Sequence, residues 1–325
     1  DAGRTQPQPA EMSRFVVIGG ANVDIMGIAD QALRPQDSNP GTIRTTLGGV
    51  GRNIAENLAR LDEAVSLVSV VGDDSFGRWI LKQGRECGVD MRWVRSLPGQ
   101  RTSAFLAILD PDHDLHSAIA DMSILHQLDQ ASLQPVLNSL KRGDLLICDT
   151  NLDPELIRWI VTEAPCPLAM DPLSASKSEK ARPILNRLTY FKPNRAEAER
   201  LCGFPIQTPA KIRAALDWFV NQGVKETVLS LGAQGTAVAV GQRRLLMTVD
   251  PLTPVNTTGA GDCFFAVYLS FRAQGAAVED AIESAAAGAA PTLSDPLSVS
   301  PLLSRQSLAL RRGRQSCRWF DLNQI

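Results

Sequence analysis

The sequence predicts a three-layer α/β sandwich: a mostly parallel sheet with helices on both faces, carrying a small β-sheet lid. Three observations lead there. Apolar runs of strand length recur along the chain, amphipathic helical stretches separate them, and two segments break that rhythm. The first strand is expected at Phe15–Ile18. Residues from about 29 to 47 lack helical periodicity and form the first irregular segment. Ile54, Leu58 and Leu61 then share one helical face, and Ser66–Val71 is the next strand. The second irregular segment, about 99 to 120, alternates through Thr102-Ser103-Ala104-Phe105-Leu106-Ala107-Ile108-Leu109 and turns at Asp110-Pro111-Asp112-His113-Asp114. Two such β-rich insertions are expected to pair into the lid. Leu145–Cys148, Leu168–Met170 and Thr227–Leu231 complete the strands, with Ile212, Leu216 and Phe219 marking a further helix. Runs this apolar suit strands buried on both faces. One domain over 12–310 is expected, flanked by tails at 1–11 and 311–325, the latter holding the basic run Arg311-Arg312-Gly313-Arg314.

Composition narrows the function. The 325 residues hold 33 Lys and Arg against 35 Asp and Glu, a net charge of −2, which gives no electrostatic footprint for nucleic acid or a membrane surface. The uncharged stretch Thr227–Gln242 is broken by three glycines and is too short to span a bilayer. No basic-then-apolar leader opens the chain, and Met12 is the expected native start. Six cysteines without a CxxC pair suit reduced thiols in the cytoplasm, where the Asn256-Thr257-Thr258 sequon has no use. His113 and His116 among Asp110, Asp112 and Asp114 mimic a metal loop, but Leu115 stands where an EF-hand needs glycine, so a polar hairpin turn is expected.

The sharpest chemical signal is Asn256-Thr257-Thr258-Gly259-Ala260-Gly261-Asp262, opening the apolar run Cys263–Leu269. Small residues at a helix start leave backbone N–H groups bare, with the positive end of the helix behind them, so Gly259, Ala260 and Gly261 form a candidate anion hole. Asp262 beside it is a candidate base for a hydroxyl attacking phosphorus. A glycine-rich turn with a dipole-stabilising carboxylate has the same composition. A P-loop is excluded because no Gly-Lys dipeptide occurs, and no GxGxxG is complete. Upstream, Gly48-Gly49-Val50-Gly51-Arg52-Asn53 leads three glycines into a helix, where Asn53 offers a donor and an acceptor to hydroxyls.

These two stretches, about 200 residues apart, resemble the paired signatures of the ribokinase-like (PfkB) carbohydrate kinases. Asn194-Arg195-Ala196-Glu197 resembles that family's NxxE, and Ser230-Leu231-Gly232-Ala233-Gln234-Gly235 resembles its nucleotide-binding glycine turn. The resemblance runs from about residue 14 to about 295. It implies a ribokinase-like fold and ATP-dependent phosphorylation, with Asp262 as base and Gly259, Ala260 and Gly261 as anion hole. Asp24 and Asn22 would hold sugar hydroxyls, and Gly48, Gly49 and Asn53 would complete that pocket. Asn194 and Glu197 would order the hydration shell of Mg²⁺, and Ser230, Gly232 and Gly235 would border ATP. Asp37-Ser38-Asn39-Pro40-Gly41 and Asp121-Met122 resemble segments of the family's C-nucleoside kinases, which implies pseudouridine as substrate and Ser38, Asn39 and Asp121 as contacts to it. Val50, followed by Arg52, disfavours a plain ribose or fructose phosphate pocket. Asn256 stands where many relatives carry Asp, which weakens the case for K⁺ activation. Family lids often pair between subunits, so a homodimer through the lid is expected. A different sugar or nucleoside kinase, for ribose, adenosine or fructose, and a non-catalytic nucleoside binder are the alternatives.

Overall fold

A computed structural model describes residues 14–112, 114–250 and 258–324. The strands in chain order are β1 (Phe15–Ile18), β2 (Asn22–Ala29), β3 (Gly41–Gly48), β4 (Val65–Gly72), β5 (Asp90–Leu97), β6 (Ala104–Leu109) and β7 (Leu115–Asp121). They continue as β8 (Leu145–Asp149), β9 (Leu168–Asp171), β10 (Tyr190–Phe191), β11 (Glu226–Ser230), β12 (Thr236–Val240), β13 (Arg243–Val249) and β14 (Cys317–Asp321). The helices are α1 (Val50–Arg60), α2 (Ser75–Glu86), α3 (Gln130–Ser139), α4 (Pro154–Glu163) and α5 (Ala175–Ser178). After these come α6 (Arg195–Cys202), α7 (Pro209–Asn221), α8 (Ala260–Ala273), α9 (Val278–Leu293) and α10 (Arg305–Arg312).

Among the described residues the strands make two sheets. Ten lie in the order β14-β13-β12-β11-β10-β9-β8-β1-β4-β5, parallel from β11 through β5 and antiparallel from β11 out to β14. The other four form the order β3-β2-β6-β7. Alternation along β1 sorts the core into two layers. Val16 and Ile18 point with Leu146, Cys148 and Met170 toward Leu133, Ile157, Leu201 and Phe219 of α3, α4, α6 and α7. Phe15 and Val17 point the other way, toward Ile54 and Leu58 of α1, Phe265 and Leu269 of α8 and Ile282 of α9. Strands buried on both faces explain why these runs carry no alternation to read. The chain is thus the expected three-layer α/β sandwich with a separate small sheet. No helix among the described residues is long and apolar enough to cross a membrane.

Two boundaries are corrected. The lid begins at Asn22, not near 29, because β2 pairs with β3 from Asn22↔Gly48 outward, so Asn22 and Asp24 are residues of the lid's own strand. The stretch after β2 instead makes a loop, closed where the Asp30 N–H donates to the Pro40 carbonyl at 3.1 Å. The second correction concerns residues 311–325, which are not a tail. Helix α10 runs to Arg312, and Cys317–Asp321 pairs antiparallel with β13 as the outer strand of the large sheet. Cys317 and Trp319 pack toward the core while the Trp319 indole N–H donates to Glu283 Oε1 at 2.9 Å. The expected tail at 1–11 and the start at Met12 lie outside the described residues.

Candidate active site

In an open parallel sheet, ligands gather beyond the carboxyl ends of the strands. Here Asp149 ends β8, Asp171 ends β9, and Lys192 and Asn194 follow β10. The amino ends of α1 and α8 meet the same edge. Asp149 is buried and anchors the turns around it: its Oδ2 accepts from the Gly20 N–H at 2.7 Å and the Gly51 N–H at 3.2 Å.

Helix α8 starts at Gly259, whose φ of 80° and tight packing exclude a side chain: a Cβ there would lie 1.9 Å from the Ser298 carbonyl oxygen. No side chain caps this helix among the described residues. Gly259 and Ala260 are half-buried and Gly261 is exposed, so their amides are open to a ligand. The far end is anchored: the Tyr268 hydroxyl donates to Glu226 of β11 at 2.7 Å, and the Arg272 Nε donates to the same carboxylate at 3.0 Å. A helix held at its carboxyl end presents its amino end at a defined place.

Asp262, in the first turn, is buried and accepts at Oδ2 from the Asn53 side-chain amide at 2.7 Å. Residues 209 apart in sequence thus meet directly. Burial pushes the Asp262 carboxyl up to about 7, the charge of Asp171 adds to this, and Asn53 and Lys192 oppose it. Lys192 is itself buried, with Nζ 2.9 Å from Asp171 Oδ2. Burial pulls its ammonium down, but Asp171, Glu197 and Asp262 together hold it above its ordinary value. Its Nζ also stands 3.3 Å from where a Cβ on Gly261 would sit, beside the bare amides. A fixed cation and a helix amino end therefore face one point, next to a carboxylate that titrates near neutrality. Chemically, that arrangement is suited to an anion beside a proton acceptor.

A model of the pfkB family of carbohydrate kinases matches residues 12–304. The chain belongs to that family. Pseudouridine kinase of Escherichia coli (strain K12) is 34% identical over 296 residues, covering 90% of this chain and 95% of that protein. Guanosine-inosine kinase of Exiguobacterium acetylicum is 29% identical, covering 84% of this chain and 91% of that one. The structure of a putative sugar kinase from Clostridium perfringens superposes with a TM-score of 0.83 at 27% identity, over 97% of this chain and 99% of that one.

In this pfkB kinase, several residues singled out by sequence converge. Asp24 is buried, its Oδ1 accepting from Asn22 Nδ2 at 2.7 Å and its Oδ2 standing 3.5 Å from the Ser298 hydroxyl. Burial raises its carboxyl against the pull of Asn22 and Arg52. Gly48 is needed for the close approach of that carboxylate, since a Cβ would sit 2.3 Å from its oxygen. Gly49 is the N-cap of α1, which carries Asn53 into the site. Asn194 and Glu197 form a reciprocal cap at the start of α6. Asn194 donates from its backbone N–H at 2.7 Å and its amide at 2.8 Å to the two carboxylate oxygens, and accepts from the Glu197 N–H at 3.0 Å. Burial and then the Asp171 charge push Glu197 up to about 7. Ser230 bridges Asn194, and Gly232 and Gly235 shape the turn between β11 and β12.

Others stay apart. Ser38 is exposed, and Asn39 spends its side chain closing its own loop, accepting from the Arg34 N–H at 2.8 Å and donating to Arg34 and Asp37 carbonyls. Asp121 is exposed and caps Ser123; its register with Ala104 and Val23 puts it on the lid face opposite Asp24. Asp110 accepts from the N–H groups of Asp112 and Asp114, making the β6–β7 hairpin turn that was expected. His113, Asn256 and Thr257 lie outside the described residues. Sequence reasoning assigned no role to Lys192 or Ser298. Lys192 carried a signal, a lysine directly after an apolar strand; Ser298, in an aperiodic loop, carried none.

Proposed function

We propose that this kinase transfers the γ-phosphoryl group of ATP to the 5′-hydroxyl of a nucleoside, with pseudouridine as the preferred acceptor. The observation that carries the chemistry is the Asn53–Asp262 bond of 2.7 Å beside the uncapped start of α8. Asn22 and Asp24 would hold vicinal ribose hydroxyls, since one carboxylate accepts from two neighbouring O–H groups. Asp262 takes the 5′-hydroxyl proton as that oxygen bonds to the γ-phosphorus. The bond from phosphorus to the β–γ bridging oxygen breaks, and ADP leaves. The amides of Gly259 to Asp262 and the Lys192 ammonium face the charge that spreads over the phosphoryl oxygens. Ser230, Gly232 and Gly235 would border the nucleotide.

A hydrated Mg²⁺ fits this donor set, since that ion keeps several waters and needs only one or two carboxylates beside the substrate phosphates. Among the described residues no three acidic, His or Cys side chains are placed to ligate a metal together. The charge of Asp171 nonetheless reaches both Glu197 and Asp262 and raises the proton affinity of each. Glu197, steadied by Asn194, would bind the ion through its waters, and when bound the ion neutralises phosphate charge. The nucleoside reading is supported by the relatives that phosphorylate pseudouridine and guanosine or inosine. The lid's outer face supports a homodimer: Ile43 is 75% and Ile119 68% exposed, beside Leu106 and Ile108, and a second copy of this sheet would cover them. All six cysteines are unpaired, which suits the cytoplasm.

Initial rates of ADP release with pseudouridine, uridine, adenosine, fructose and ribose test the assignment. Pseudouridine should lead. Ribose, fructose or adenosine ahead by tenfold would move the enzyme to another acceptor, and no release with any of them would favour a non-catalytic binder.

A further inference from the structure

Arg52 lies in the first turn of α1, 6% exposed, beside the acceptor site but outside every role given above. Its guanidinium is spent on four partners. Nε donates to the Gly48 carbonyl at 3.1 Å, Nη2 to the Leu47 carbonyl at 2.9 Å, and Nη1 to Glu56 Oε2 at 2.5 Å. Nη2 also donates to Asn53 Oδ1. Glu56 is held in turn from the far side, its Oε1 accepting from Arg60 at 2.8 Å and from the Cys87 thiol at 3.3 Å. The fork is therefore fixed at both ends, as bidentate arginine geometry allows and a lysine would not.

The consequence falls on Asn53. Its two amide ends are nearly isosteric, and either could turn toward Asp262. With Oδ1 claimed by Arg52, the NH₂ group must face Asp262. We infer that Arg52 is a positioning residue: by fixing the Asn53 amide it commits one oxygen of Asp262 to Asn53 and leaves the other for the acceptor hydroxyl. The two carbonyls it also binds are the last of lid strand β3, so the same side chain ties the lid's root to that pair.

This rests on the proposed kinase reaction, so the test has one arm without turnover. Arg52→Lys and Arg52→Gln are assayed for kcat and for the KM of ATP, at temperatures where each remains folded. In parallel, the side-chain amide of Asn53 is followed by ¹⁵N NMR in substrate-free protein, assigned by its loss in Asn53→Ala. Both variants should lose on the order of tenfold or more in kcat, with the KM of ATP within about twofold, because geometry and not nucleotide binding is affected. The Asn53 amide should leave its parent position in both. If Arg52→Gln melts, the lysine variant carries the result, since it keeps the buried charge and lacks only the fork. A lysine variant with parent kcat, or an unmoved Asn53 amide, overturns the inference. If the parent enzyme phosphorylates no acceptor, the functional reading fails while the NMR arm still decides the role of Arg52.

Discussion

Asp262→Asn should separate activity from stability in opposite directions. The carboxyl is buried among Asp171 and Asp149, and its proton affinity rises from the ordinary 3.8 to about 7. A carboxyl raised on folding binds its proton more tightly in the native state, so stability falls as pH climbs between those two values. Keeping it ionised above pH 7 therefore costs the fold up to roughly 4 kcal/mol, a ceiling set by that difference. Asparagine removes the charge while its amide oxygen can still accept from Asn53. If even a quarter of the ceiling is recovered, about 1 kcal/mol, the melting temperature rises by about 2 °C. Loss of the base should meanwhile lower kcat by on the order of 10²–10⁴, with ATP binding retained. Scanning calorimetry at pH 8 and ADP-release rates on the same preparation measure both. A variant that melts clearly below the parent refutes the account of the charge cluster, and near-parent turnover refutes the role of Asp262.

Three other expectations follow from the geometry. With Asp262 and Glu197 both held near 7, kcat/KM should fall about tenfold per pH unit below neutrality, as a required carboxylate is protonated; a flat profile from pH 6 to 8 would contradict it. Ile43→Lys combined with Ile119→Lys should convert a dimer to monomer in light scattering while leaving the melting temperature within a few degrees, since both residues are exposed in the single chain. An unchanged assembly state would remove the lid face from the interface. Ending the chain after Gly313 strips β14 from β13 and removes the Trp319 indole from Glu283, so soluble expression or the melting temperature should drop; full stability would mean that the strand is dispensable.

What could be read beforehand follows from periodicity and from local backbone demands. Ile54, Leu58 and Leu61 announced α1, and the small residues before Asp262 announced an uncapped helix, because both signals sit within a few residues. The β14 strand was missed because its five residues, mixed in polarity, follow a basic run that looks solvated; its reason to pair is the open edge of β13, which no local window contains. The lid's true start was hidden because β2 follows β1 after only three residues and mixes Asp24 with apolar neighbours. The burial of Lys192 and the reach of Ser298 to Asp24 depend on packing between distant segments, and single-chain patterns are silent on that. Asn39 and Asp121 are polar residues in a matching order whose side chains in the free protein close their own turns, a local use that the order of residues does not reveal.

One consequence comes from where β2 and β3 leave the large domain. Asn22 pairs with Gly48 at the very base of the small sheet, and Asp24 stands only two residues further out. A rotation moves each point in proportion to its distance from the pivot. Rocking of the sheet about its base would thus carry Ile28 and Thr42 through a wide arc while barely shifting the carboxylate of Asp24. An acceptor gripped at the pivot can keep its reactive oxygen in register while the cover above it swings freely for entry and exit.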